Sequence, residues 1–425
     1  NGKNVLILSI DALSANHLKM YGHYRNTFPK LEQFAKESLV FEKAFTAAGY
    51  TLASHVSLFT GLYPKNHKVH LYYPEGDHGE RLNYKKTSIS ESIKTMGEYF
   101  SSLGYHAIWA VEPGNEQLNG KDSEGRGFNT FFRDFVGSIE KFEAWIESHS
   151  NSKFFAFFHS GFLFSPYFVK ASERNLESFD NKHPFLSPNY QGAIISNFNE
   201  AQREYFKKYP EQKGQTHNHY KNFFEFWWSR VDRNNPEDLQ HLRDLYDEKI
   251  LLFDEHFERL ISLLKKKNLY DNTVIIVISD HGESFGEHGY FDHAGLHQEV
   301  VWVPLIIRIP GVNHKKISTT VSLIDLYPTL VSMLSKESPH KMDGKDLTPI
   351  ISETYKKAHD FFFFETGGTK AVSDGTWKLI KLEKENQPLM YNIIDDPKEQ
   401  EELSLNHPDI LKKLERQINL FFKDQ

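Results

Sequence analysis

The sequence predicts an α/β fold: a central, mostly parallel sheet sandwiched by helices, with a small antiparallel α+β unit at the C-terminal end. Three observations carry that reading. Val5-Leu6-Ile7-Leu8-Ser9-Ile10 is an unbroken apolar run that stops at Asp11, as expected for a strand buried on both faces. Similar runs then alternate with stretches of helical period, the pattern of strands joined by crossover helices. From about residue 360 the runs shorten and are separated by tight turns, which reads as antiparallel pairing. The expected division is 1–358, with 169–235 as an insertion or lid, and 359–425 as a small sheet plus helix.

Taken in order, residues 29–38 read as a helix with Leu31, Phe34 and Ala35 on one face, and 39–45 as a second strand. That strand feeds Ala48-Gly49-Tyr50-Thr51, where a loop breaks into a short helix, with Gly49 as hinge and Thr60-Gly61 as stop. Residues 88–103 read as an amphipathic helix ended by Gly104, and 105–111 as a strand. Residues 154–158 form another buried strand, ending at His159. The segment 169–235 is irregular and rich in Asn, His, Phe and Tyr, with Trp227-Trp228 as a packing pair. A long helix over 238–267 places Leu242, Leu245, Ile250, Phe253, Phe257 and Leu260 at helical spacing. Residues 274–278 are a strong strand, followed directly by Ser279-Asp280-His281-Gly282-Glu283. Another strand, 303–309, closes at Pro310-Gly311. Strands at 361–364, 370–372, 376–382 and 389–393 precede a terminal helix that starts at Pro408.

Composition narrows the function. A chain of 425 residues, 39% hydrophobic and 25% charged, has the make-up of a globular protein of two or three domains. A net charge of −7 argues against nucleic acid or a membrane surface as partner. The 35 Phe and 20 Tyr predict a thick aromatic core or an aromatic-lined cleft. The absence of Cys excludes disulfides, thiolate metal sites and a cysteine nucleophile. No stretch approaches the roughly 18 apolar residues of a membrane span, so membrane association is expected only through a segment outside this chain. The opening at Asn1 rather than Met reads as a mature or trimmed form.

The chemistry-bearing residues gather at strand ends. Thr51 falls at the first position of a helix, where unpaired N–H groups and the dipole favour an anion. Its hydroxyl can act as a nucleophile if its pKa is lowered, or serve simply as a cap. Asp11 and Asp280-His281 follow parallel strands and so share one edge of the sheet, where α/β folds bind ligands. With Thr51 they make a plausible ligand set for Zn²⁺ or Mn²⁺, in preference to Ca²⁺. His288, His293 and His297 crowd one glycine-containing loop, a density that can serve a second metal or hold an oxyanion.

The run Asp280-His281-Gly282-Glu283-Ser284-Phe285-Gly286-Glu287-His288-Gly289, followed by His293, Val303-Pro304-Leu305 and Pro310-Gly311, resembles the sulfatase family of the alkaline phosphatase superfamily. The resemblance spans nearly the whole chain. It includes Leu269-Tyr270-Asp271-Asn272-Thr273, Leu323-Ile324-Asp325-Leu326-Tyr327-Pro328, Asp343-Gly344, Thr376-Trp377-Lys378-Leu379-Ile380 and Asp395-Asp396-Pro397 with Glu399. It implies an alkaline-phosphatase-like fold and a metal-dependent enzyme working outside the cytoplasm. Where formylglycine-dependent members carry Cys or Ser followed by x-Pro-Ser-Arg, this chain has Thr51-Leu52-Ala53-Ser54-His55, so no formylglycine is expected. A Thr nucleophile is similar to the phosphoethanolamine transferases and lipoteichoic acid synthases of the superfamily. By that likeness Thr51 is the nucleophile, Asp11, Thr51, Asp280 and His281 bind the metal, and His293, His159 and His288 hold the substrate anion. His55 stands in for the missing Arg. The pattern His-x-x-Asp-x-His-x-Pro-Tyr of many relatives is here His159-Ser160-Gly161-Phe162-Leu163-Phe164-Ser165-Pro166-Tyr167, with Phe at both polar positions.

These features predict a hydrolase or transferase that cleaves a phosphate ester of a small molecule, glycan or lipid headgroup through phospho-Thr51. The alternatives are a sulfatase without formylglycine, and an impaired member that binds a glycan or lipid headgroup.

Overall fold

A computed structural model describes residues 3–69, 88–111, 125–133, 135–169, 183–212, 219–293, 295–334, 336–383, 385 and 387–423. The chain-order strands are β1 (Asn4–Ile10), β2 (Leu39–Phe45), β3 (His106–Val111), β4 (Thr130–Arg133), β5 (Phe154–Ser160) and β6 (Thr273–Ile278). A short ribbon of β7 (Ser284–Phe285) and β8 (Phe291–Asp292) follows, then β9 (Trp302–Arg308), β10 (Lys315–Ile317) and β11 (Val321–Ser322). The central sheet has the order β10-β2-β9-β6-β1-β5-β3-β4, with β11 also beside β2. All its pairings are parallel except those of β9, which runs antiparallel between β2 and β6.

Alternation along β1 explains why both faces are covered. Leu6, Leu8 and Ile10 face one core, with Leu242, Leu245, Ile250 and Phe253 of the helix Pro236–Lys266. Val5 and Ile7 face the other, with Leu52, Val56 and Phe59 of the helix Thr51–Thr60. Burying each such side chain contributes roughly 1.5–3 kcal/mol. The Trp227-Trp228 pair is packing: Trp227 is fully buried and donates from Nε1 to the Ile195 carbonyl at 2.8 Å.

Strands β12 (Phe362–Thr366), β13 (Thr369–Ser373), β14 (Trp377–Lys381) and β15 (Leu389–Asn392) form an antiparallel sheet in sequence order. Phe362, Phe364, Ala371 and Ile380 pack on Phe45, Leu296 and Val301, next to the central sheet. Val372, Leu379 and Met390 pack on Leu414 and Ile418 of the terminal helix Pro408–Phe421.

Three expectations need correction. The helix placed over 88–103 is only Met96–Ser102, because Thr95 and Glu98 close a capping box that fixes its start. The strand expected to end at His159 continues to Ser160, so His159 lies within β5. Gly49, expected as a hinge, has no left-handed backbone. It is required by close approach, since a Cβ there would sit 2.6 Å from the Gly295 carbonyl oxygen and 2.8 Å from Thr366 Oγ1.

Candidate active site

Sheet register brings the acidic residues together. β1 pairs with β6 so that Ser9 lies beside Ile278, and with β5 so that Ser9 lies beside His159. Asp11 and Asp280 therefore leave neighbouring strands at the same level. Ser279 cross-links the two exits, accepting from Leu13 N at 2.8 Å and donating to the Ile10 carbonyl at 2.7 Å. Between them Ala12 takes a left-handed conformation (φ 58°) and donates its N–H to Asp280 Oδ1 at 3.3 Å.

The helix that begins at Thr51 closes on this pair. Its last turn ends at Gly61, whose φ of 68° is the left-handed C-terminal stop the sequence predicts. Ser54, one turn in, accepts from Thr46 Oγ1 at 2.7 Å and donates to the Asp280 carbonyl at 2.6 Å. Thr51 Oγ1 lies 3.1 Å from His281 Nε2. His281 Nδ1 donates to the Gly282 carbonyl at 2.9 Å, which leaves Nε2 to face inward. That nitrogen stands 3.5 Å from Asp11 Oδ1 and 3.5 Å from Asp280 Oδ2.

These four groups fit a divalent cation. The spacings are long for hydrogen bonds, yet match the ~3.4 Å expected between atoms that each sit about 2.1 Å from one ion. Asp280 Oδ2 is buried and has no hydrogen-bond partner. One imidazole, two carboxylates and a hydroxyl suit Zn²⁺ or Mn²⁺, and the Nδ1–H···O=C bond fixes the tautomer as metal-bound histidines require. The two carboxylates also disturb one another. Burial and the neighbouring Asp11 charge push Asp280 up. Burial works the same way on Asp11, but the His159 contact and the charges of His281 and His293 outweigh it and hold Asp11 well below the usual carboxylate range.

The other predicted residues separate into three positions. His293 lies over the centre, its ring 4.6 Å from that of His281. Burial would lower its pKa, but the Asp292 carboxylate at 2.7 Å, with Glu283 and Asp11 behind it, raises it to about 9. His159 is buried, with Nε2 3.6 Å from Asp11 Oδ2 and Nδ1 3.3 Å from Ser9 Oγ. His55 meets the same Ser9 Oγ through Nε2 at 3.0 Å. It does not replace an arginine's charge: burial, and then His159, hold its pKa well below the usual imidazole value, so it is neutral. His288 is grouped elsewhere, stacked on His297 at 3.8 Å.

Sequence reasoning missed the residues that hold His293. Tyr167 donates to Glu283 Oε2 at 2.9 Å, and Asp292 sits at φ 66° to face Nδ1. Glu283 and Asp292 adjoin residues already singled out; Tyr167 closes the His159–Tyr167 pattern, but nothing in that pattern marks it as a partner of Glu283. The two Phe replacements also differ. Phe162 packs on Phe253 and His256 of the long helix, whereas Phe164 lies 5.7 Å from the His293 ring and walls the centre.

One segment braces everything at this edge. Because β9 is antiparallel, its entry, residues 297–301, reaches the edge where β2 and β6 end. Val301 O accepts from Thr46 N at 3.0 Å, Val300 O from Gly282 N at 2.7 Å, and Glu299 O from Glu283 N at 3.1 Å.

The doubly covered sheet and this buried acid–histidine–hydroxyl centre define a hydrolase of the alkaline phosphatase superfamily. The chain belongs to the sulfatase family: its profile, "Sulfatase", matches residues 3–336, and that of the "N-sulphoglucosamine sulphohydrolase, C-terminal" region matches 286–423. The family comprises metal-dependent hydrolases of sulfo- and phospho-esters. Among curated proteins the chain is 24% identical to the uncharacterized sulfatase YidJ of Escherichia coli, over 92% of this chain and 83% of that protein. It is 30% identical to an N-acetylglucosamine-6-O-sulfatase of Bacteroides thetaiotaomicron, over 38% of this chain and only 31% of that one. Among solved structures it superposes on a phosphonate monoester hydrolase of Agrobacterium radiobacter with a TM-score of 0.70, at 18% identity, covering 98% of this chain and 96% of that one. The sulfatase names favour the sulfate-ester alternative over the phosphate ester expected first. Among the described residues no helix is long and apolar enough to cross a membrane.

Proposed function

We propose that the protein hydrolyses a sulfate ester of a sugar-like alcohol, with Thr51 as the nucleophile, on the extracytoplasmic side of the cell. The observation that carries this is the convergence of Thr51 Oγ1 on His281 Nε2 at 3.1 Å, beside Asp11 and Asp280 and at the start of a helix. The sugar is suggested by the acetylglucosamine sulfatase relative. Asp11, Asp280, His281 and Thr51 would hold a divalent ion, which would supply positive charge to lower the hydroxyl's pKa and neutralise an ester oxygen.

The residues themselves do the following. The first-turn N–H groups and the His293 imidazolium hold the ester oxyanions. Thr51 Oγ1 gives up its proton to the carboxylate pair and attacks sulfur. The bond from sulfur to the alcohol oxygen breaks, and that oxygen takes a proton from His293. Water then attacks sulfur and gives a proton to His293; the bond from sulfur to Thr51 Oγ1 breaks, sulfate leaves, and Oγ1 takes back the proton held by the carboxylate pair. His159 holds Asp11 in place through its 3.6 Å contact.

A second reading, phosphate-ester cleavage through phospho-Thr51, has one specific support: a Thr stands where formylglycine-dependent relatives carry Cys or Ser. The same in-line displacement serves both. Turnover of matched p-nitrophenyl sulfate, phosphate and phosphodiester with Zn²⁺, Mn²⁺ and Ca²⁺, for the native chain and Thr51→Ala, separates them. Metal-dependent sulfate turnover that drops at least ~10³-fold in Thr51→Ala is expected. Preference for phosphate would install the second reading. Activity that survives Thr51→Ala would remove the nucleophile from both, and silence of the native chain would favour a binding role.

A further inference from the structure

The alcohol oxygen takes its proton from His293, so the alcohol part of the ester lies on that side of the centre. Asp292 Oδ1 stands 2.7 Å from Nδ1 of that ring, which leaves Nε2 for the alcohol oxygen. What stands beside the ring is what the carbon skeleton of the alcohol meets. That neighbour is apolar: the Phe164 ring lies 5.7 Å from the His293 ring, tilted by 48°. Phe164 in turn stacks on Phe224 of the helix His219–Trp228, at 6.3 Å and 27°. Both phenylalanines are half-buried, so neither is used up by packing.

Phe162, two residues away, shows the contrast. It packs on Phe253 and His256 of the long helix, with Lys249 Nζ 5.5 Å from the centre of its ring. Phe164 instead faces His293, and its backbone is fixed on both sides. Its N–H donates to the Gly161 carbonyl at 3.0 Å, and its carbonyl accepts from Lys249 Nζ at 3.0 Å. Lys249 is buried, and an ammonium on a carbonyl makes a charge-assisted bond, the stronger kind. The Phe164 turn is therefore in place before a ligand arrives, and little of its backbone has to be ordered on binding.

We infer that Phe164 and Phe224 are specificity-determining residues, which receive the carbon skeleton of the alcohol and favour esters whose alcohol turns a flat apolar face to them. The C–H face of a sugar ring and an aryl ring share that chemistry. Either would take water off both phenyl rings, whereas a small alcohol would leave them wet. Closing that side would also strengthen the hold of His293 on the ester oxyanions, since charges act more strongly once water is excluded. The inference rests on the proposed role of His293 as the group that meets the alcohol oxygen.

The test uses pairs of ligands that differ in that face. Benzenesulfonate and methanesulfonate carry the sulfonyl oxyanions without a bond to cleave, so calorimetric titration with each reads the wall independently of turnover. The native chain should bind benzenesulfonate about tenfold or more tighter than methanesulfonate. Phe164→Ala should remove most of that ratio, and Phe224→Ala a smaller part. Where Phe164→Ala does not fold, Phe164→Leu, which keeps bulk but loses the flat face, gives the same reading. Phe162→Ala should lower the thermal midpoint and leave the ratio where it was. Kinetics then separate the two sources. The kcat/KM of p-nitrophenyl sulfate and of N-acetylglucosamine 6-sulfate, each taken over that of methyl sulfate, shows whether an aryl ring or a sugar face is favoured. The favoured ratio should fall in Phe164→Ala. A native chain with no preference for benzenesulfonate, or a preference that survives both Phe164→Ala and Phe224→Ala, overturns the inference. A preference that depends on Phe164 in a chain without sulfate turnover would uphold the wall and remove the sulfate-ester reading alone.

Discussion

Two clusters in this molecule have nearly the same residue types and opposite meanings. His17, His23 and Asp247 lie within ligand distance of one another, as do Asp11, Asp280 and His281. At Asp247 every oxygen is already taken: Oδ1 by His17 Nδ1 at 2.6 Å, Oδ2 by His23 Nε2 at 3.1 Å and Arg25 Nη1 at 2.8 Å. The Arg25 fork also reaches Asp244 at 2.7 Å. At the Thr51 centre two carboxylates face each other beside His159 and His281, at spacings too long for good hydrogen bonds. The first cluster is complete and the second calls for a cation. Residue composition does not separate them; the balance of charge and the distances do.

The largest expected contrast follows directly. Asp280→Asn should lower turnover of the ester substrate by about 10³-fold or more while leaving the fold intact, because it weakens only the charge that the centre concentrates. Asp247→Asn should do the reverse. It strands part of a buried guanidinium and two histidines, at a cost of about 3 kcal/mol in unfolding free energy, with kcat within a few-fold of wild type. Urea unfolding and steady-state assays on both variants check this, and equal loss of activity in the two would dissolve the comparison.

Gly49→Ala should come next. The new Cβ would meet the Gly295 carbonyl and Thr366, so the loop ahead of Thr51 must shift. Overpacking of this kind costs typically 1–3 kcal/mol. A displacement of this loop should also cut kcat about tenfold or more with KM nearly unchanged. A variant with full activity would show that the C-terminal sheet does not position the nucleophile.

The smallest effect concerns pH. Asp254 accepts from Lys30 N at 2.8 Å and Leu31 N at 3.3 Å, capping the helix Pro29–Ala35 from the long helix. Burial pushes it up to about 7. The folded state therefore holds this proton more tightly than the unfolded chain does. Its contribution is fully present below pH ~4 and is lost as pH rises through about 7. Asp247, held low despite its burial by His17 and His23, contributes in the opposite sense and is lost on acidification below pH ~4. Asp254→Asn should flatten the decline in stability between pH 4 and 7, read from denaturant midpoints; an unaltered slope would assign the decline to other groups.

Much of the architecture was legible because it rests on local pattern. The run before Asp11, the run before Asp280 and the glycine after Thr60 each announce an element and its end. The helix of 88–103 was overdrawn because apolar spacing outweighed Thr95-x-x-Glu98, a start signal that was present in the sequence. The site was legible as a set of letters but not as an arrangement. His288, His293 and His297 belong to one loop, yet His288 and His297 stack together while His293 turns to His281, and no window of sequence reports a side. His55 was given the place of an arginine from its neighbours in a motif, whereas the depth of its burial is a property of the whole fold.

The reversed direction of β9 has a further consequence. Strands in a sheet stand about 4.8 Å apart, so β2 and β6, each beside β9, end about 10 Å from one another. That interval is a ruler laid across the edge. It fixes how far the helix carrying Thr51 must lean to bring a hydroxyl to a histidine on the other loop, and the backbone bonds of residues 299–301 are its graduations. The reach between the two loops is thus set by sheet geometry, and side-chain choice on either loop can vary only within the length it allows.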